Sequence, residues 1–415
     1  MKRYAKYIVN HPLFSGSAVM IIGSNIGNFI AYLYHLVLAR LLGPVQYGEL
    51  SALLSILGML SVTFSFLGLV VVKFVSSADK NEINSVFGWF YKKMNTIAVV
   101  LSILIGVLSF PTSRFLNMHF LPVLLLAPIF YFFLLEFLFR SYLQGLLKFT
   151  KVAISVNFEM FLRLVFGVGL GLLGFGVFGA AVGIFIGTIA NYILLRYFLK
   201  GYKLTKDNNI NFSRNREVLN YSLPIFITSI STYSLISFDI IFVKHYFLGY
   251  DAGLYAALST LGKIIFYSTA PITSVMFPLV ARNFAQKKKH VHIFYLSLLS
   301  TCAIVAVLVG GFSLFPQYAV LPLYGKNFMP IVSLLAKFGL FVGLYSVSTL
   351  ILNYLLSIER VKVAYTLPIF SLLQVFGIFL FHSTISQVIN INLAVACIML
   401  VYLLFISIYG ASKQK

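Results

Sequence analysis

Among the basic residues inside or at the edge of long apolar runs, five are candidates for binding an anion: Arg40, Arg140, Arg163, Lys244 and Lys263. In such surroundings a guanidinium or ammonium can hold an anion through charge-assisted hydrogen bonds. Glu136 and Arg140 are four residues apart, as are Glu159 and Arg163. That spacing places each pair on one helix face, where opposite charges neutralise each other. Arg163 falls near the middle of its run, where a central charge costs roughly 2.5–3.5 kcal/mol on insertion scales. Lys263 and Lys337 fall toward the outer ends of theirs, within snorkelling reach of the interface. A different chemistry is written into the first run, where Asn25, Asn28, Tyr32 and His35 follow at helical steps. At about 100° per residue they share an arc of about 80° on one face. A polar stripe of this kind in a membrane helix faces either a neighbouring helix, as hydrogen-bonding glue, or a wet cavity.

The stripe recurs half a chain later. A shift of 204 residues pairs Asn25 with Ser229, Asn28 with Thr232 and His35 with Asp239. It also pairs Arg40 with Lys244, Ser55 with Ser259 and Gly58 with Gly262. Repetition at matched positions favours a shared cavity lining over glue, and a two-fold repeat is the usual build of a transporter with its substrate site between the halves. Asn25, Asn28, Ser229 and Thr232 are thus candidate substrate-binding residues beside the five cations. His35 and Asp239 can both change charge, and with Glu136 and Glu159 they are the candidates for ion coupling.

The elements that carry these residues follow from composition. The chain is 60% hydrophobic and 10% charged, with a mean hydropathy of +0.96, which places it among all-α integral membrane proteins. Apolar runs of about 20 residues are long enough to span a bilayer. About twelve are expected, centred near Ile26, Leu57, Leu101, Phe130, Phe166 and Ile184, then Ile230, Ile265, Val305, Gly343, Leu372 and Leu400. Gly174-Phe175-Gly176 divides the fifth from the sixth. With both termini cytoplasmic, only Arg40, Arg114, Lys244 and Lys326 among the basic residues fall in outside segments. That asymmetry supports the count and orientation. The polar stretch 200–217 reads as a cytoplasmic linker between two six-helix lobes, 1–199 and 218–415. Pro224, opening the seventh span, is the position most suited to a hinge.

Several function classes are excluded. The net charge of +21 reflects topology and contact with anionic membrane lipids, so no nucleic-acid partner is expected. Gly169-Leu-Gly171-Leu-Leu-Gly174 matches a dinucleotide fingerprint but lies in an apolar helix with no preceding strand. Gly167, Gly171, Gly179, Gly183 and Gly187 instead give close helix-packing faces. No phosphate-binding loop and no Cys/His cluster is present, so neither a cofactor nor a metal is expected. Cys302 and Cys397 read as packing residues. No loop is large enough for an extramembrane catalytic domain, which disfavours a membrane glycosyltransferase or glycan polymerase.

The segment Leu-Ala-Arg40-Leu-Leu-Gly-Pro-x-x-Tyr-Gly after the first span, in a chain of two six-helix lobes, resembles the Wzx-type polysaccharide and oligosaccharide flippases. These belong to the multidrug/oligosaccharidyl-lipid/polysaccharide exporter superfamily. Asp239-Ile-Ile-Phe-Val-Lys-His-Tyr-Phe-Leu-Gly, followed by Ala-Gly-Leu-Tyr-Ala-Ala-Leu-Ser-Thr-Leu-Gly-Lys, is similar to that family's seventh-to-eighth span junction. The resemblance covers essentially the whole chain. It implies a multi-pass, non-enzymatic protein of the cell membrane that carries a polyprenyl-diphosphate-linked glycan between leaflets by alternating access. Glycan-assembly enzymes are its candidate partners, and a monomer suffices because the cavity forms within one chain. An Na⁺- or H⁺-coupled drug or metabolite exporter of the same superfamily is the alternative.

Overall fold

The computed structural model describes residues 12–77, 83–202 and 215–412. Among them every regular element is helical. The first helix, α1 (Pro12–Ser77), is two helices joined across a corner at Gly43, with φ 67° and ψ 178°. Glycine takes that left-handed φ without a Cβ clash. Pro44 follows, with no N–H to lose and a φ preset for restarting a helix. Next come α2 (Ile83–Phe115), the short α3 (Phe120–Leu124), α4 (Leu126–Gly145) and α5 (Phe149–Leu170). A wide turn at Gly171–Phe175 leads into α6 (Gly176–Phe198). It is the glycine turn expected from the sequence, with positive φ at Gly174 and Gly176.

The later elements are α7 (Asn215–Leu235), α8 (Phe238–Tyr246), α9 (Gly249–Ala285), α10 (Val291–Leu314), α11 (Pro316–Tyr324), α12 (Val332–Ser357), α13 (Leu367–Leu380) and α14 (Ile385–Ser412). Among the described residues nine helical segments are long and apolar enough to cross a membrane, or ten with the bent pair Phe226–Leu235 and Phe238–Tyr246. Each of the twelve expected span centres falls within one of these ten segments. Two of them, Asn25–Val62 and Phe149–Phe198, contain the glycine breaks just described. The seventh span bends by 44° between its two pieces, at Ile236–Ser237 and not at Pro224, across which α7 continues. Residues 203–214 of the expected linker lie outside the described residues.

The chain divides into two compact units, 1–42 with 56–223, and 43–55 with 224–415. In the first, α5 and α6 approach so closely that a Cβ on Gly183 would collide with the backbone of Gly167. One on Gly187 would lie 3.1 Å from the Glu159 carbonyl oxygen and 3.3 Å from Arg163 N. The glycine faces read from the sequence therefore press α6 against the part of α5 that bears Glu159 and Arg163. In the second unit, the segment after the Gly43 corner crosses the start of α9. A Cβ on Gly48 would lie 2.8 Å from Gly253 N, and one on Gly253 would overlap the Pro44 carbonyl. Tyr47, fully buried, shares a 3.0 Å hydrogen bond with Thr260 and packs edge-on to Tyr324 and Phe328.

Candidate functional site

The first unit gathers its buried charge at Arg140. Glu136 on α4 is fully buried and lies 3.5 Å from the guanidinium, as the four-residue spacing requires. Glu159 on α5 pairs with the same guanidinium. The expected pairing of Glu159 with Arg163 is thus replaced by one between helices, because Arg140 reaches α5 and also donates from Nε to Ser155 Oγ at 3.0 Å. Asn191 on α6, fully buried, lies near Glu136, and neither its Nδ2 nor its Oδ1 has a hydrogen-bond partner among the described residues.

Among the described residues, Arg163 is consequently left without a carboxylate. Its guanidinium sits 4.6 Å from the centroid of the Tyr34 ring, a cation–π contact worth about 2 kcal/mol when desolvated. Tyr34 is itself buried and donates to the Ala180 carbonyl at 3.3 Å. The Arg163 Nε is buried with no hydrogen-bond partner among the described residues. A buried donor in that condition is suited to an acceptor arriving from outside the protein. His35 lies edge-on to the Tyr34 ring, while Asn25, Asn28 and Arg40 are exposed.

In the second unit the polar network centres on Asp239, which is fully buried in the first turn of α8. The break at Ile236–Ser237 starts a new helix there, and a carboxylate near a helix N-terminus complements the dipole. Asp239 accepts from Tyr255 Oη at 2.6 Å, from Asn392 Nδ2 at 3.2 Å and from its neighbour Ile240 N at 2.9 Å. Gln374 donates to Asn392 Oδ1 and to the Leu235 carbonyl, both at 2.9 Å, so it ties down the carbonyl that the break releases. The Oε1 of Gln374 is buried without a partner among the described residues. Lys263, on the same helix as Tyr255, is near enough to act electrostatically on Asp239 without a direct ion pair. Lys244 is buried, with its ammonium 3.9 Å from Glu49. Thr232 turns its hydroxyl back to the Thr228 carbonyl at 2.7 Å, and Ser229 is half-buried on the same helix.

Arg140, Glu136 and Glu159 are therefore brought together and Lys244 is held by Glu49, whereas Lys263 acts on Asp239 only through its charge. Four members of these networks, Asn191, Tyr255, Gln374 and Asn392, were not picked out from the sequence. Two of them, Asn191 and Gln374, are lone amides in strongly apolar runs, and that isolation was the available signal.

Residues 13–284 match the family described as "Polysaccharide biosynthesis protein". An uncharacterized membrane protein of Methanocaldococcus jannaschii is 26% identical over 371 residues, covering 83% of this chain and 84% of that protein. The fold is similar to the lipid II flippase MurJ in an inward closed conformation, with TM-score 0.77 and 15% identity over 94% of this chain and 87% of that one. It is also similar to an inward-facing MATE family multidrug resistance transporter of the MOP superfamily, with TM-score 0.74 and 14% identity over 95% and 99% of the two chains. Built on the same helical membrane fold as these transporters, the chain belongs to the polysaccharide biosynthesis protein family.

Proposed function

We propose that this protein is a flippase that moves a polyprenyl-diphosphate-linked oligosaccharide from the inner to the outer leaflet by alternating access, for assembly of a cell-surface polysaccharide. The observation that carries this reading is Arg163, a membrane-embedded guanidinium that, among the described residues, has no carboxylate partner and a buried, unpartnered Nε. A diphosphate cannot enter hydrocarbon unshielded, and a desolvated arginine offers it charge-assisted donors in a fixed fork. Translocation breaks no bond, so the site needs no nucleophile and no acid–base pair.

The test is transport of a fluorescent polyprenyl-diphosphate-linked sugar in proteoliposomes. Arg163→Gln is expected to reduce the initial rate at least tenfold, and Arg163→Lys to keep part of it, with equal amounts of folded protein in each vesicle set. Full activity of Arg163→Gln would remove the main support for the proposal.

The Asp239 network favours a second element of mechanism and is shared with the alternative, an ion-coupled drug or metabolite exporter. A buried carboxylate, a tyrosine oxygen and the unpartnered Oε1 of Gln374 form a set of oxygen donors suited to a small cation or a proton. We propose that Asp239 carries the coupling ion. Asp239→Asn and Gln374→Leu should each transport at a rate that no longer responds to an imposed Na⁺ or H⁺ gradient. Unchanged gradient dependence in both variants rejects the coupling role. Gradient-driven efflux of a cationic dye, with no movement of the lipid-linked sugar, would favour the exporter reading.

A further inference from the structure

The second unit contains a cavity of about 450 Å³ between α9 and α12, within the range of roughly 300–1,000 Å³ usual for small-molecule pockets. From α9 it is lined by Phe266, Thr269, Thr273, Ser274 and Phe277, and from α12 by Ser346, Thr349 and Asn353. Among the described residues no charged side chain lines it.

The hydrogen-bond directions give the cavity a definite polarity. Thr269 donates its hydroxyl proton to the Phe266 carbonyl at 3.0 Å, Ser274 to Ala270 at 3.0 Å, Ser346 to Val342 at 2.8 Å and Thr349 to Tyr345 at 2.9 Å. Asn353 donates one of its two Nδ2 protons to the Thr349 carbonyl at 2.8 Å. Those four hydroxyl protons are engaged within the helices, so the cavity offers a ligand chiefly lone pairs on hydroxyl oxygens and on the Asn353 amide oxygen, with the Thr273 hydroxyl and the second Asn353 N–H as its donors. A complementary ligand is therefore rich in O–H or N–H donors and electrically neutral. A carboxylate would enter a site dominated by acceptors with no cation, and an ammonium would enter one with no counter-charge; the charge of each would be desolvated without a countercharge. The two phenyl rings offer π faces to weakly positive C–H groups.

Uncharged donors arranged around a C–H-bearing ring describe a neutral sugar. We propose that this cavity binds an uncharged sugar residue of the transported glycan, an assignment that rests on the flippase reading and narrows its substrate class.

The test uses the full chain in lipid nanodiscs, titrated with octyl β-glucoside, octyl β-glucuronide and octylammonium as probes with a common tail, and separately with farnesyl diphosphate. Wild type is expected to bind the glucoside at least tenfold more tightly than the other two octyl probes. Thr269→Val/Thr349→Val keeps the shape and removes two acceptors; it should weaken glucoside binding by about tenfold, the scale of one or two lost hydrogen bonds. Farnesyl diphosphate binding should not change. Asn353→Leu, on α12 alone, should weaken the glucoside similarly and guards against misfolding of the double variant. Equal binding of the three octyl probes, or wild-type glucoside affinity in both variants, overturns the assignment. Failure of wild type to bind farnesyl diphosphate while the glucoside pattern holds counts against the flippase reading and leaves the sugar cavity standing.

Discussion

Arg140 holds two carboxylates from two helices, and that arrangement determines what its removal does. Glu136 is fully buried and Glu159 nearly so, so a neutral residue at position 140 leaves two like charges in a membrane interior. Breaking a buried ion pair by removing one partner typically destabilises by about 3–5 kcal/mol. Arg140→Met should therefore lower the melting midpoint of the purified protein markedly, read by fluorescence-detected size exclusion after heating. Arg140→Met/Glu159→Gln should recover part of the loss. An unchanged midpoint in Arg140→Met would show that the carboxylates are not ionised together. The sequence made both acid–base spacings visible but not the partner exchange, because helical spacing records neighbours on one helix and Arg140 reaches across to α5. The same limit hid Tyr255, Gln374 and Asn392: Asp239 was legible through its match with His35, but Asn392 lies 153 residues further along the chain. Only folding brings the two together.

At the scale of elements, the apolar runs carried most of the information. The glycine turn at 174–176 was readable because two glycines closely flank one phenylalanine. The break in the seventh span was not, since its support is tertiary. The Leu235 carbonyl is taken by Gln374, Ser234 donates to Ser371 at 3.0 Å, and the Thr232 carbonyl accepts from Tyr345 at 2.7 Å. Pro224, the more obvious local signal, is carried through without ending α7. The glycines give a graded test of helix packing. Gly253→Ala puts a methyl onto the Pro44 carbonyl and should sharply reduce the folded protein recovered from membranes. Gly43→Ala forces a Cβ into the left-handed region and should destabilise by about 1–2 kcal/mol. A Cβ added at Gly169 would meet nothing within 4 Å, and Gly169→Ala should behave as wild type or slightly better. Recovery of all three at equal yield, with equal melting midpoints, would contradict the close approach at Gly253.

On the scale of the whole molecule, the half-chain repeat is imperfect in an informative way. The shift of 204 residues pairs Gly43 with Phe247, and both are corners: Gly43 in the left-handed region, Phe247 extended at φ −108° and ψ 157°. The extra break before Asp239 has no counterpart in the first copy, where α1 runs unbroken past Tyr32. The repeat thus shares its corner, while the buried carboxylate network belongs to the second copy.

Residues 43–55 belong with the second unit although they are made near the beginning of the chain. During synthesis Tyr47 leaves the ribosome 213 residues before Thr260, against which it finally lies. For that interval the segment has no native surface to rest on, and the second unit cannot close until its own late helices reach back to an early one. The order of manufacture and the order of assembly therefore run in opposite directions at this point. A chain cut within 203–214 should make this visible. The piece 215–415 expressed alone lacks Tyr47 and should be degraded, whereas co-expression with 1–202 should restore it, as judged by immunoblot of the membrane fraction. Equal accumulation with and without the first piece would mean that the late helices close around one another unaided.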